Sequence, residues 1–170
     1  MARRIENVGS EIDPGALANP TLAFLKAYWE SKRNGRPMPS RADIDPLEMK
    51  EHLGWIILAD VLGDCVDFRF RLVGTRVTDY FGRDITGKTL SESYASYGPA
   101  ALKMALAVYR KVARDRLVLR TFGNAGWLGQ DFLEFDQLFL PLSDDGMRAN
   151  MVMSAFTFDA RRQALKTRPR

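Results

Sequence analysis

Val66-Asp67-Phe68-Arg69-Phe70-Arg71-Leu72 alternates apolar and charged side chains without a break. A period of two residues sends successive side chains to opposite faces, so this stretch reads as a strand with one apolar and one charged face. Immediately upstream, Trp55 to Leu62 is an apolar run, and Gly63-Asp64 between the two is a turn signal. The pair reads as an antiparallel hairpin. Downstream, Gly74 to Lys88 is broken by Gly82 and Gly87 and reads as short helices and turns. From Pro99 to Asp115 the period becomes helical: Leu102, Leu106, Tyr109 and Val112 share a stripe, while Lys103, Arg110, Lys111 and Arg114 lie off it. Three more strands follow, at Leu117 to Phe122, Phe132 to Leu142 and Ala149 to Phe158. The loop Gly123-Asn124-Ala125-Gly126 and the turn Ser143-Asp144-Asp145-Gly146 separate them. Two strands, a helical insert and three strands describe an α+β fold: a five-stranded antiparallel sheet with its helices between strands 2 and 3. A doubly wound parallel sheet would need strands and helices to alternate.

Ahead of the hairpin, Asn19 is placed to cap a helix with Pro20 at its first position. That N-terminal helix carries Leu22, Leu25 and Trp29, widened by Ala23, Phe24 and Tyr28, and stops near Asn34-Gly35. So much aromatic surface must bury itself on the sheet or on a partner chain. Arg36 to Pro46 holds three prolines and reads as an extended connection, with Asp45 capping a short helix from Pro46 to His52. Residues 1–18 show no periodicity and read as a flexible lead-in. The expected organisation is the lead-in 1–18, a domain over 19–159 and a basic tail over 160–170.

The 170 residues suit one domain, and a chain of this length buries most of its apolar surface without staples. Cys65 is the sole cysteine, which excludes an intramolecular disulfide and any multi-cysteine metal site and fits a reducing cytoplasm. No apolar run approaches the roughly 20 residues of a membrane span, and Ile5 to Ser10 forms no signal-peptide core. The expectation is a cytoplasmic protein. The formal net charge of +4 belongs to the ends: Arg3, Arg4, Arg161, Arg162, Lys166, Arg168 and Arg170 leave 18 basic against 21 acidic residues between them. Nucleic-acid readers carry their charge on a folded face, so basic ends read as solvated tails, with tail-mediated nucleic-acid binding the lesser alternative.

This order of elements resembles the PAS fold. Finer features resemble one branch of it, the single-domain family of α-proteobacterial type often labelled PAS_5. The residues that carry the resemblance are Tyr28-Trp29 in the helix, Pro39-Ser40-Arg41-Ala42-Asp43-Ile44-Asp45-Pro46, the strand end Arg69 to Thr75 with Arg71-Leu72-Val73-Gly74-Thr75, and Gly82-Arg83-Asp84-Ile85-Thr86-Gly87. Membership implies a sensory or interaction module in bacterial signal transduction. Output would pass through a protein partner or a homodimer, since no kinase, cyclase or helix-turn-helix segment is attached. It also implies a small-ligand pocket between the inner sheet face and the helical insert. The expected lining is Phe68, Phe70, Leu72, Tyr80, Phe81, Tyr94, Tyr109 and Phe135, with Arg71, Thr75 and Gln137 as the polar members; a filled apolar core is the competing reading. Arg71 alternates with Phe70 and Leu72, so it can equally point outward into an ion pair.

Catalytic and cofactor chemistry find little support. His52 precedes the sheet, whereas haem-binding PAS domains place the ligating histidine on or just after the long helix, and Pro99 to Asp115 has none. Cys65 falls in the hairpin turn, whereas flavin photoreceptors of this fold place theirs in the middle helices within Asn-Cys-Arg. Both observations count against haem and covalent flavin and leave the cofactor unknown. A single histidine and no Gly-x-Ser-x-Gly elbow argue against a nucleophilic triad, and the phosphate-loop spacing is absent. An enzyme acting in a cone-shaped pocket would need a buried acid or base, for which Glu134 and Asp136 are the chief candidates. No catalytic residue and no metal ligand is assigned.

Overall fold

The computed structural model describes residues 8–160. The basic ends, Arg3-Arg4 and residues 161–170, lie outside them, and with them the nucleic-acid alternative that rests on those residues.

The N-terminal helix forms where its caps place it. In α1 (Pro20–Arg33) the Asn19 side chain accepts from the amides of Thr21 and Leu22, and Asn34 ends the helix in the left-handed region at φ 51°. The segment after it holds short 3-10 turns instead of the expected helix up to His52. One of them, Pro46–Met49, is capped by Asp45. Two strands follow, β2 (Ile56–Leu62) and β3 (Asp67–Val73), joined through the Gly63-Asp64 turn. The insert contains α2 (Thr75–Phe81), α3 (Leu90–Tyr94) and α4 (Pro99–Asp115). Then come β4 (Leu119–Ala125), β5 (Gln130–Leu142) and β6 (Met151–Asp159).

The sheet has six strands, and the extra one lies in the stretch expected as an irregular lead-in. Here β1 (Val8–Ile12) pairs antiparallel with β4, from Val8 opposite Gly123 to Ile12 opposite Leu119. Val-Gly-Ser-Glu-Ile has no strong strand pattern of its own; the neighbour supplies the ladder, and Arg120 of β4 reaches Glu11 at 3.5 Å. The full order is β1-β4-β5-β6-β2-β3, with every pairing antiparallel.

Both faces of the sheet are covered. The register sets Phe135 opposite Phe158, Gln137 opposite Phe156 and Phe139 opposite Ser154, and this inner face meets α4 through Tyr109. The other face takes α1. There Leu138 pairs with Ala155 and Leu140 with Met153, all fully buried. Trp29 donates from its indole nitrogen to the Pro141 carbonyl, and Asn19 donates to the Thr157 hydroxyl. Of the two ways α1 could bury its aromatic face, the chain adopts packing on its own sheet. No described helix is long and apolar enough to cross a membrane.

Candidate functional site

The interior between the inner sheet face and the insert is centred on Tyr109 of α4. Its ring lies 5.1 Å from Phe68, 6.3 Å from Phe70 and 5.2 Å from Phe139, measured between centroids. Gln137 of β5 donates to the Ser154 hydroxyl of β6 at 3.2 Å, and Tyr109 lies beside that hydroxyl. Burial pushes the Tyr109 phenol above its ordinary value, and the Ser154 hydroxyl pulls the other way. Burial likewise raises Tyr94, with Tyr109 and Tyr97 adding to the effect. Both phenols therefore stay neutral near pH 7 and act there as hydrogen-bonding groups, not as bases.

Beside this polar group lies a cavity of about 30 Å³, lined in part by Tyr94, Met104, Tyr109, Thr121, Trp127 and Gln137. That volume suits a water or two, whereas ligand pockets start near 300 Å³. In this conformation the interior is filled. An aromatic chain closes one side of it: Tyr94 stacks on Trp127 at 5.5 Å, Trp127 on Phe156 at 6.2 Å, Phe156 on Phe158 at 4.7 Å and Phe158 on Tyr80 at 4.4 Å. Phe81 packs edge-on against Tyr94 and Trp127.

Of the expected lining, Phe68, Phe70, Phe81, Tyr94, Tyr109, Phe135 and Gln137 are buried together in this interior, and Tyr80 lies half-buried at its edge. Three of the expected residues do not reach it. The ladder between β2 and β3 shifts register, pairing Leu58 with Leu72 but Ala59 with Phe70, which leaves Arg71 as an extra residue. Arg71 points outward, where its guanidinium holds both oxygens of Asp60 at 3.0 Å. Leu72 follows Leu58 toward the other face, and Thr75 is exposed at the start of α2. The Arg71 alternative that holds is the outward ion pair.

The sequence reading missed Met104, Thr121, Trp127 and Ser154. Trp127 was legible in principle. A tryptophan between glycines in Gly126-Trp127-Leu128-Gly129 has little reason to exist unless the turn folds it inward, and it is buried. Thr121 and Ser154 carry no such mark, because only the strand register shows that they face Gln137 and Tyr109.

The carboxylates proposed for the enzyme alternative lie on the far face of the sheet. Asp136 is bound side-on by Arg120 at 2.7 and 3.0 Å. Both carboxylates border a shallow hollow beside Asn19 and Asp159. Neither reaches the interior. His52 stacks on Phe24 at 4.3 Å and meets the Thr21 hydroxyl at 3.1 Å. Cys65 is buried in the β2–β3 turn. Among the described residues no cluster of His, Cys, Asp or Glu is arranged to hold a metal ion.

Gly74 explains the Val-Gly-Thr strand end. A Cβ there would come within 2.3 Å of the Gly54 carbonyl oxygen, while the Gly74 amide donates to Ile56 at 2.8 Å. The chain crosses itself so closely at this point that only glycine fits.

A family model described as PAS domain matches residues 17–156. No curated protein and no solved structure matches.

Proposed function

The chain belongs to the PAS domain family, and on that premise we propose that it is a signalling module that senses a small neutral ligand in its interior. The observation that carries this reading is the buried group Tyr109–Ser154–Gln137 beside the cavity. An amide and two hydroxyls stand where Leu and Phe would pack, and they offer donors and acceptors that an apolar filling would not. Among the described residues those around the cavity carry no formal charge, which favours an uncharged ligand with an apolar body and one or two hydrogen-bonding atoms. Room for it would come from Met104, an unbranched side chain that repacks easily.

Output in this reading runs through a protein partner or a second copy of the chain. Two features support it: the edge strand β1, and the exposed side chains of Leu47 and Phe132. Light scattering of the full chain tests the second copy, and a monomer across the micromolar range would leave only the protein partner.

The ligand itself is tested by mass spectrometry of small molecules released from the purified native protein, in parallel with Gln137→Leu. The expected result is one neutral compound released in proportion to the wild-type protein and lost from the variant. A wild-type protein that releases nothing, and whose melting temperature no compound in a metabolite library raises, would end the ligand reading.

A further inference from the structure

A second hollow, of about 370 Å³, opens at the far end of the molecule from α1's start, where the β2–β3 turn, the end of α4 and the β5–β6 loop converge. Its floor is small and apolar, from Val61, Cys65, Ala113 and Ala149, and its walls carry Arg114, Arg116 and Arg148. We propose that this groove binds a phosphate-bearing small molecule through those three guanidinium groups.

Three observations carry the inference. First, two of the guanidiniums are already oriented. Arg114 donates one nitrogen to the Asp64 carbonyl at 3.0 Å, and Arg116 donates one to the Met147 carbonyl at 3.1 Å. A guanidinium has five N–H donors, so each keeps most of its fork for a ligand while its position is fixed. Arg110 braces the same turn from below, donating to the carbonyls of Cys65 and Val66 at 2.9 Å. Second, among the described residues none of the three groove arginines forms an ion pair with a carboxylate, whereas Arg33, Arg36, Arg71 and Arg120 all do. Of the nearby acids, Asp145 accepts from Ser143 and from the amides of Met147 and Arg148 and also feels the Arg148 charge, and Asp144 accepts from Asn150. Among the described residues Asp64 is the one acid lining this groove, and Asp144 and Asp145 line the adjoining hollow that shares Val61, Gly63, Arg148 and Ala149 with it. Third, among the described residues the lining holds no aromatic ring, so recognition falls on the phosphate and not on a stacked base.

The groove shares no residue with the Tyr109 interior, so the two readings stand or fall separately. The test is a titration of the full chain with sodium pyrophosphate, followed by amide chemical shifts in two-dimensional NMR. Saturable shifts are expected at Gly63 to Val66, Arg114 to Arg116 and Met147 to Ala149, weakening with added salt. Arg148→Gln removes a guanidinium that makes no hydrogen bond to a described residue; it should lower affinity about tenfold while leaving the melting temperature unchanged. Asp64→Asn should raise affinity, a gain that a purely structural role for these arginines would not produce. No saturable shift, shifts centred elsewhere, or equal affinity in all three proteins would overturn the proposal. So would a response to poly-glutamate or to phosphatidylglycerol vesicles with none to pyrophosphate.

Discussion

Trp29 and Pro141 are 112 residues apart and joined by one buried hydrogen bond, the indole N–H donating to the carbonyl oxygen at 2.8 Å. Pro141 has no amide of its own to offer the ladder, and its carbonyl is covered by α1. Trp29→Phe keeps an aromatic ring but strands that oxygen. The expected loss is about 1–3 kcal/mol of unfolding free energy, read from urea denaturation with an unchanged slope. A loss within error would mean that water replaces the indole.

Gly74→Ala should be more damaging than its size implies. The added methyl meets backbone, the Gly54 carbonyl at 2.3 Å, and cannot be relieved by a rotamer change. A cost of about 3 kcal/mol or more is expected from calorimetry, against a few tenths for Gly15→Ala, where nothing lies within 4 Å. Equal melting of the two variants would contradict the close crossing.

Ser154→Ala leaves Gln137 short of a partner and removes the hydroxyl beside Tyr109. About 1–2 kcal/mol should be lost. Combined with Tyr109→Phe, the double variant should lose less than the two single losses added together, since the two residues belong to one buried polar group. Additive losses would show that Tyr109 and Ser154 act independently.

Alkaline pH should unfold the protein through Tyr94 and Tyr109. Burial raises both phenols in the folded state, so the native protein holds their protons more tightly than the unfolded chain does. Stability from this source is complete below about pH 10 and falls as pH rises above it, because only the unfolded phenols ionise there. Ultraviolet titration should therefore show Tyr94 and Tyr109 ionising only as the protein unfolds. Ionisation of these two phenols in a protein that stays folded would refute the burial argument.

Asp136→Asn should weaken the edge of the sheet and little else. Arg120 holds Asp136 on one side and Glu11 of β1 on the other, with about one-fifth of each of the Arg120 and Asp136 side chains exposed. A loss of about 1 kcal/mol is expected, with faster hydrogen exchange in Val8–Ile12. Unchanged exchange in β1 would show that the guanidinium does not tie that strand down.

What could be read in advance follows from where the physics is local. The caps of α1, the alternation of β3 and the stripe of α4 are all encoded within a few residues of themselves, and each forms close to its expected place. β1 was not legible because its pairing depends on β4, more than a hundred residues away. α3 was missed for a related reason. Its capping box, Thr89 with Glu92, is visible, but five residues are too few to show a period. Phe68 and Phe70 could be expected from the alternation of β3, while the helical members Tyr80, Phe81, Tyr94 and Tyr109 followed only from the family resemblance. Leu72 could not be placed, since alternation assumes an unbroken ladder and the bulge beside Ala59 turns it to the other face; the outward Arg71 was already open to alternation.

The three tryptophans are distributed so that each stands in a different environment. Trp29 lies under α1 against β5, Trp55 lies between Arg76 and Tyr80 at the entrance to β2, and Trp127 is enclosed by the rings around the cavity. The chain therefore carries intrinsic fluorescent reporters on both sides of the sheet. With single-tryptophan variants, emission from Trp127 would register a molecule entering the interior, while Trp29 would register the lifting of the N-terminal helix. The order in which the two signals change after rapid mixing would give the direction in which information travels through the sheet.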